Sequence, residues 1–405
     1  MTEILKLVLV IAVIVFSIRK KWKLGYIMLL ASLLLGVVFG LNPTEIVRNF
    51  FLALIDSATL KLMGIIIGVY ILSGILRRIE SLKNLADSLQ QLVKDYRLIL
   101  AFIPALLGMI PMPAGAMFSA PMVKAVGERA GLTPEENTFV NYWFRHVWEF
   151  IFPVFPGIIL FVGLLNVTFR EVILVQYPLT IIAIIVGFIW EYKNLKKNGS
   201  SINKEDIFFN LKKLFLGIWP ILMVIILVTV VKIELLISLI LVIFLLFLTN
   251  FNKLKLPVVK KIVKNDIDLS VVILIAGIMI FQRMLQVSGG MEIIPEAFAK
   301  LGVHPYIILF SIPFCIAMVT GISSAAIGIG IPILLPIIIP DEVNFYYAMF
   351  AYTGAFTGVM LSPVHLCLVV TRNYFKSDLN KIYKMLIFPL STVVLSAFII
   401  LLLKG

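Results

Sequence analysis

The chain has 405 residues, of which 61% are apolar and only 14% are charged, and its mean hydropathy is +1.08. Soluble globular domains carry about a quarter charged residues, so this composition excludes an ordinary soluble fold and indicates a protein embedded in a bilayer. The formal net charge of +13 does not indicate nucleic-acid binding, because the lysines and arginines lie in short gaps between apolar runs rather than on one basic face.

Apolar stretches long enough to cross a hydrocarbon layer of roughly 30 Å recur along the whole chain. The first, Ile4 to Ile18, is followed by a basic cluster and has no small-residue cleavage site. It is therefore predicted to be a retained span rather than a signal peptide. In chain order, the predicted spans are 4–18, 24–40, 58–76, 138–166, 171–190, 214–231, 233–249, 268–287, 343–373 and 381–403.

Two further apolar segments, 98–127 and 304–338, are too long for a single crossing and are interrupted near their middle by Pro, Gly and small residues. Inside a bilayer such an interruption is tolerated only where protein or a water-filled cavity surrounds the freed backbone groups. Both segments are therefore predicted to be re-entrant hairpins, which enter and leave on the same side of the membrane.

The basic residues predict the orientation of these spans. One set of alternate loops holds 26 of the 35 lysines and arginines. These loops are 19–23, 77–97, 124–129, 193–213, 253–264 and 372–384. The positive-inside rule places them in the cytoplasm, so both termini are expected outside a cell membrane. The first hairpin then opens from the cytoplasmic side and the second from the outer side.

The two halves of the chain carry the same landmarks in the same order, at an offset of about 206 to 209 residues. Each half has a broken hairpin tip, a Pro-led acidic helix start and a Pro in the following long helix. The landmarks are 111–115, 134–136 and 155–157 in the first half, and 320–324, 340–342 and 362–363 in the second. Each half contains five crossings, an odd number, so the halves must have opposite orientations. This predicts an all-α integral membrane fold of two inverted five-span repeats, an arrangement typical of secondary transporters.

The repeat also predicts how the chain is organised. In each half, early scaffold spans precede a transport part, which consists of an amphipathic arm (80–95 or 291–301), a hairpin and a broken helix. The predicted parts are the scaffolds 1–80 and 214–290, the transport parts 81–190 and 291–405, and the cytoplasmic linker 191–213.

Charged and polar residues inside the fourth predicted span are candidates for function. Arg145, His146 and Glu149 lie in the middle of an apolar run, where a charge is costly unless it is paired or faces a cavity. Arg145 and Glu149 are four residues apart, so they would share one helical face and could pair. We expect Arg145 or His146 to attract an anion and Glu149 to take a proton or orient the arginine. The alternative is an inert strut beside a hairpin.

The hairpin tips and the second helix break are further candidates, because half-helix N-termini favour anions and C-terminal carbonyls with hydroxyls favour Na⁺. The alternative is a helix-packing motif of small residues. The residues predicted to bind substrate are Asn141, Arg145, His146, Glu149, Pro113, Ala114, Gly115, Ser323, Ser324, Ser362 and His365. Those predicted to bind the coupling cation are Thr320, Gly321, Ser323, Ser324 and Gly115.

The cysteines and histidines show no metal-ligand spacing. Cys315 and Cys367 both lie inside apolar runs and are interpreted as small core residues rather than a disulfide or a metal pair. His146 and His365 are far apart in the chain and predict no zinc site. No cofactor is expected except Na⁺ as a coupling ion.

Two motifs in these regions resemble a known group of proteins. They are Asn141 to His146 with Glu149, and Leu361 to Leu366. With the hairpins and broken helices they resemble the ion transporter superfamily, which includes the divalent anion/sodium symporters and the citrate and gluconate permeases. Within it the chain is most similar to the domain-of-unknown-function 401 family, expected to have ten membrane helices. The resemblance implies a homodimer, but the Ser-Asn-Thr tips of the dicarboxylate symporters are absent, so dicarboxylate transport is not carried over.

The leading hypothesis is a secondary transporter of a small organic anion, coupled to Na⁺ or H⁺ and working by an elevator mechanism. One alternative is a cation/proton antiporter in which Glu149 and His146 carry protons. A remote alternative is an intramembrane enzyme that combines Ser323 or Ser324 with a histidine, although the chain has no G-x-S-x-G nucleophile motif. No P-loop is present to bind a nucleotide.

Overall fold

The computed structural model describes residues 2–79, 81–93, 95–110, 115–194, 207–300 and 302–405. The described residues form twenty α-helices, which confirms the predicted all-helical class. Within the described part of the chain, six helical segments are long and apolar enough to cross a membrane, judged by length and composition. They are Ser57–Arg78, Phe169–Trp190, Ile207–Thr229, Leu269–Val287, Phe345–Phe375 and Leu379–Lys404. The chain is a multi-pass membrane protein.

Ten helices in the first half correspond in order to ten in the second. The first ten are α1 Thr2–Arg19, α2 Leu24–Val38, α3 Pro43–Ile55, α4 Ser57–Arg78, α5 Ser81–Leu92, α6 Tyr96–Gly108, α7 Ala116–Ala130, α8 Pro134–His146, α9 Pro156–Leu165 and α10 Phe169–Asn194. The second ten are α11 Ile207–Thr229, α12 Leu235–Thr249, α13 Leu256–Asn265, α14 Leu269–Val287, α15 Gly290–Lys300, α16 Pro305–Thr320, α17 Ser323–Ile338, α18 Phe345–Leu361, α19 Leu366–Phe375 and α20 Leu379–Lys404.

Equivalent helices in the two halves begin or end with the same kind of capping residue. The side chains of Asp56 and Asp268 cap α4 and α14, each by accepting a backbone N–H from the first turn. The short helices α9 and α19 both end in a left-handed residue, Asn166 and Lys376, before a 26-residue helix begins. The order of elements therefore repeats along the chain.

Both long spans are broken, the second at the predicted place and the first mostly before its predicted interruption at 155–157. The first, predicted at 138–166, consists of α8 and α9 with a non-helical stretch at 147–155. The second, predicted at 343–373, consists of α18 and α19 with a shorter break at 362–365. The expected helix start at 340–342 is wrong, because α18 begins at Phe345, where the Asn344 side chain accepts N–H groups of the first turn.

The predicted hairpins correspond to helix pairs, α6 with α7 and α16 with α17. The second tip consists of Gly321 and Ile322. Most of the first tip, 111–114, lies outside the described residues, as does 195–206 of the predicted linker. The segment between the two helices is shorter than the predicted linker, because α10 extends to Asn194 and α11 begins at Ile207. The sequence did not predict α3 and α13, which are short amphipathic helices at equivalent places in the two halves.

Glycines let helices pack closely around the broken spans. Gly354 and Gly358, four residues apart on α18, lie directly against the carbonyl oxygens of Phe310 and Phe314 on α16. A Cβ at either glycine would collide with that backbone, so this small-xxx-small pair fixes the second hairpin against the second broken span. The break and the hairpin tip are thereby held side by side.

Candidate functional site

A cavity of about 350 Å³ lies where the two helix breaks, the tip of the second hairpin, the middle of α4 and the start of α14 meet. It contains side chains from both halves of the chain. The predicted site residues that line it are Arg145, His146, Glu149, Thr320, Gly321, Ser323, Ser324 and His365. Residues distant in the sequence therefore share one cavity in the fold.

Two histidines face each other in this cavity. Nε2 of His146 lies 3.1 Å from Nε2 of His365, and their Nδ1 atoms each lie 2.6 Å from a backbone carbonyl oxygen, that of Tyr142 and that of Gly321. The ring of Tyr142 packs against both imidazoles. Both rings are thus held by the backbone, and their free nitrogens point at one another.

Glu149 lies in the first break rather than in the helix, because α8 ends at His146. Its Oε1 is 3.9 Å from His146 Nε2, and its Oε2 accepts a hydrogen bond from the Ser323 hydroxyl at 3.3 Å. The expected pairing with Arg145 on one helical face is wrong, because the helix ends between the two residues. The carboxylate instead joins the first break to the tip of the second hairpin.

Arg145 is buried beside the cavity without an acidic partner among the described residues. Its Nη1 donates a hydrogen bond to the carbonyl oxygen of Leu107 near the end of α6, at 3.2 Å. A neutral carbonyl satisfies one donor and forms no ion pair, whereas a guanidinium offers five donors. This side chain therefore provides a positive potential at the cavity wall.

Three helices begin at the cavity. Pro156 and Gly157 start α9, Ser323 and Ser324 start α17, and Leu366 follows the second break to start α19. The first N–H groups of a helix lack intrahelical partners and carry the positive end of its dipole. Their convergence adds to the positive charge of Arg145, so the cavity is suited to an anionic group.

Three predicted site residues lie elsewhere. Asn141 is fully buried between helices, where its Nδ2 donates to the Ala116 carbonyl and the Thr371 hydroxyl. Gly115 precedes α7 as its N-cap residue. The Ser362 hydroxyl donates to the Met318 carbonyl at 2.8 Å and joins the second break to the second hairpin. Pro113 and Ala114 lie outside the described residues.

Residues 2–403 match the model of a family described as a protein of unknown function, DUF401. The chain belongs to the DUF401 family. Among solved structures, it is similar to the Alcanivorax borkumensis YdaH transporter, with a TM-score of 0.65 and 14% identity. The match covers 93% of this chain and 96% of that chain. This DUF401 chain therefore has the fold of a membrane transporter. No curated protein matches it significantly.

The sequence reasoning missed Cys367 of this DUF401 chain. Its sulfur atom and the nearest ring nitrogens of His146 and His365 all lie within 4.8 Å of one another. The interpretation of both cysteines as core residues is wrong, because Cys367 lines the cavity and Cys315 is exposed on the outside of the helices. His365 and Cys367 are only two residues apart, but His146 comes from the other half of the chain, so spacing along the sequence could not have shown that the three meet.

The cavity opens toward one end of the DUF401 fold. A neighbouring space of about 570 Å³ shares Asp268, Val271, Ile322 and Ser324 with it and extends to the loop at Trp22. That end also carries the basic loop 19–23 and the lysines of α13. At the opposite end, a separate cavity of about 640 Å³ lies between the beginnings of α4, α10 and α12.

Proposed function

We propose that this protein is a secondary active transporter of a small organic anion, coupled to Na⁺ or H⁺. The observation that carries the proposal is the unpaired buried charge of Arg145 in a cavity where three helices begin. An intramembrane charge of this kind is expensive without a function. A carboxylate entering the cavity would meet a guanidinium and several free N–H groups, which are the strong partners of an anion.

Two features support coupling to a cation. The second hairpin brings the carbonyl end of α16 and the hydroxyls of Thr320 and Ser323 to the cavity, an environment suited to Na⁺. Glu149 and the two histidines provide groups that can take up a proton beside the anion site. Either cation would offset the charge of the anion during its passage through the membrane.

An elevator mechanism completes the proposal. The transport part contains the hairpins, the broken spans and the last helix of each half, while α4 and α14 belong to the scaffold. The cavity lies between these parts and opens toward the basic loops, which the positive-inside rule places in the cytoplasm. This arrangement corresponds to an inward-facing state, and the opposite cavity at α10 would become the outer entrance. The resemblance to the ion transporter superfamily supports this mechanism and a homodimer.

A thermal-shift panel of organic acids, with and without Na⁺ and at two pH values, tests anion binding on the purified protein. At least one carboxylate should raise the melting temperature of the wild type, because a ligand that binds the folded state stabilises it. Arg145→Gln should abolish this shift. Arg283→Gln is the matched control. Arg283, like Arg145, lies on a membrane helix, but its Nε donates a hydrogen bond to the Oδ1 atom of Asn49 at 3.0 Å. If no carboxylate stabilises the wild type under any condition, the anion proposal fails.

Uptake of the stabilising anion into proteoliposomes then tests coupling. Uptake should depend on an inward gradient of Na⁺ or H⁺, and collapse of both gradients should reduce it to equilibration. Uptake against a concentration gradient with both ion gradients collapsed would contradict the coupling.

A cation/proton antiporter is the second candidate, favoured by the contact of Glu149 with His146 and of His146 with His365. It predicts cation-driven proton movement in vesicles and no stabilisation by carboxylates. Against the remote enzyme hypothesis, the Ser323 hydroxyl bonds to Glu149 rather than to a histidine.

A further inference from the structure

The cavity contains a cluster of soft ligand atoms, and its sulfur, that of Cys367, has no role in transport of an anion or in coupling to Na⁺ or H⁺. The sulfur of Cys367 and the nearest ring nitrogens of His146 and His365 lie within 4.8 Å of one another. The Glu149 carboxylate is 3.9 Å from the His146 nitrogen. These four side chains come from the end of α8, from both helix breaks and from the first turn of α19.

The backbone determines which ring nitrogens are free. A carbonyl oxygen can only accept, so the Nδ1 atoms of His146 and His365, each 2.6 Å from a carbonyl oxygen, must carry hydrogens. The Nε2 atom of a neutral histidine is then an acceptor. Two such acceptors face each other at 3.1 Å. A proton, a metal ion or the hydrogen of the neighbouring Cys367 thiol would relieve the repulsion between their lone pairs.

Both the distance and the outer contacts match a metal site. Two nitrogens bound to a tetrahedral zinc ion at 2.0–2.1 Å lie about 3.3 Å apart, close to the 3.1 Å between these Nε2 atoms. Metal-binding histidines donate their other ring N–H to a carbonyl or carboxylate, which fixes the ring and makes the ligand more basic. Tyr142 and Gly321 supply those carbonyls.

The chemistry of the ligands selects the kind of ion. Thiolate and imidazole prefer zinc-class transition metals, whereas Mg²⁺ and Ca²⁺ prefer oxygen ligands. Cys367 lies in the first turn of α19, where the helix dipole favours a negative ligand. A dication held by one thiolate, one carboxylate and two neutral imidazoles has no net charge, which suits a buried place in a membrane protein.

We propose that His146, His365 and Cys367 bind one zinc-class transition-metal ion, with Glu149 as the fourth ligand after a small movement of its carboxylate. The ion would join the two helix breaks, one from each half of the chain. The proposal concerns binding and does not depend on which solute the protein transports.

Metal binding can be measured on the full-length protein in detergent after removal of bound metal with a chelator. Zn²⁺, titrated in competition with a chromophoric chelator, should bind at one equivalent per chain. Co²⁺ should produce thiolate charge-transfer and tetrahedral ligand-field bands. Cys367→Ser and His365→Gln should each weaken Zn²⁺ binding by at least about tenfold, since loss of an outer-shell partner alone weakens metal sites about 10–100-fold. Cys315→Ser is the matched control and should bind like the wild type, because Cys315 is exposed away from the cluster.

A second measurement requires no substitution. Zn²⁺ should slow the alkylation of Cys367 in the wild-type protein by at least about tenfold and leave the alkylation of Cys315 unchanged, whereas Na⁺ should protect neither thiol. Equal Zn²⁺ affinity in the wild type and Cys367→Ser, together with no protection of Cys367, would overturn the proposal and assign a shared proton to the histidine pair. Neither readout involves uptake, so failure of the metal site is distinguishable from failure of the transport proposal.

Discussion

Gly321→Ala should destabilise the protein more than a typical glycine substitution. Gly321 has a φ of +68°, and a left-handed conformation costs an L-residue about 1–2 kcal/mol. A Cβ at this position would also lie 2.8 Å from the backbone N and Cα of His365. Ordinary contact begins at 3.4 Å, so the second break would have to move by the difference, 3.4 − 2.8 = 0.6 Å. Overpacking of this kind typically costs 1–3 kcal/mol, which gives a total of about 2–5 kcal/mol.

Gly131→Ala is the matched control for this experiment. Gly131 also has a positive φ, +75°, but a Cβ there would meet nothing within 4 Å. Its cost should therefore be the conformational part alone, about 1–2 kcal/mol. Thermal melts of both variants in the same detergent measure the difference. Equal decreases in melting temperature would refute the idea that Gly321 is required by the close approach of His365.

The same substitution should also weaken function more than the control does. The carbonyl oxygen of Gly321 accepts the Nδ1–H of His365, so movement of the break disturbs the orientation of that imidazole. Zn²⁺ affinity and uptake should both fall in Gly321→Ala and remain near wild-type values in Gly131→Ala. If Gly321→Ala is destabilised but keeps wild-type Zn²⁺ affinity and uptake, this expectation is contradicted.

Two further predictions concern the scaffold. Asp266→Asn should lower the free energy of unfolding by about 1–3 kcal/mol and make it less dependent on salt, because the largely buried carboxylate of Asp266 pairs with Arg77 at 2.8 Å. The control is Lys61→Met. The ion pair of Lys61 is about half exposed, so its loss should change the free energy of unfolding by less than about 1 kcal/mol in the same melts. Gly163→Val should block uptake but preserve ligand binding, because a Cβ on Gly163 of α9 would lie 2.7 Å from the side chain of Leu62 on α4. Adding Leu62→Ala to this variant should restore uptake. Normal uptake in the single variant, or no rescue in the double, would argue against sliding at this contact.

Part of the candidate site could be predicted, because the energy cost of removing a charged side chain from water depends on that residue and its immediate surroundings. Arg145, His146 and Glu149 stand out in the sequence, since a charge in an apolar run is costly wherever the helix packs. The structure places all three at the cavity. The position of Glu149 was not predicted, because α8 ends at His146, ten residues before the expected interruption at Pro156. Asn141 has the same local pattern but is buried between helices instead.

By itself, the sequence determined the membrane class, the helical segments, the two hairpins and the duplicated order of elements. These follow from hydropathy, from Pro and Gly breaks and from local caps, all of which act over a few residues. It did not predict α3 and α13, because a short amphipathic helix leaves no apolar run long enough to cross a membrane. Only the tertiary structure decided that His146 meets His365 and Cys367, since these side chains come from opposite halves and approach each other through helix packing. Contact between such distant residues leaves no spacing pattern in one chain.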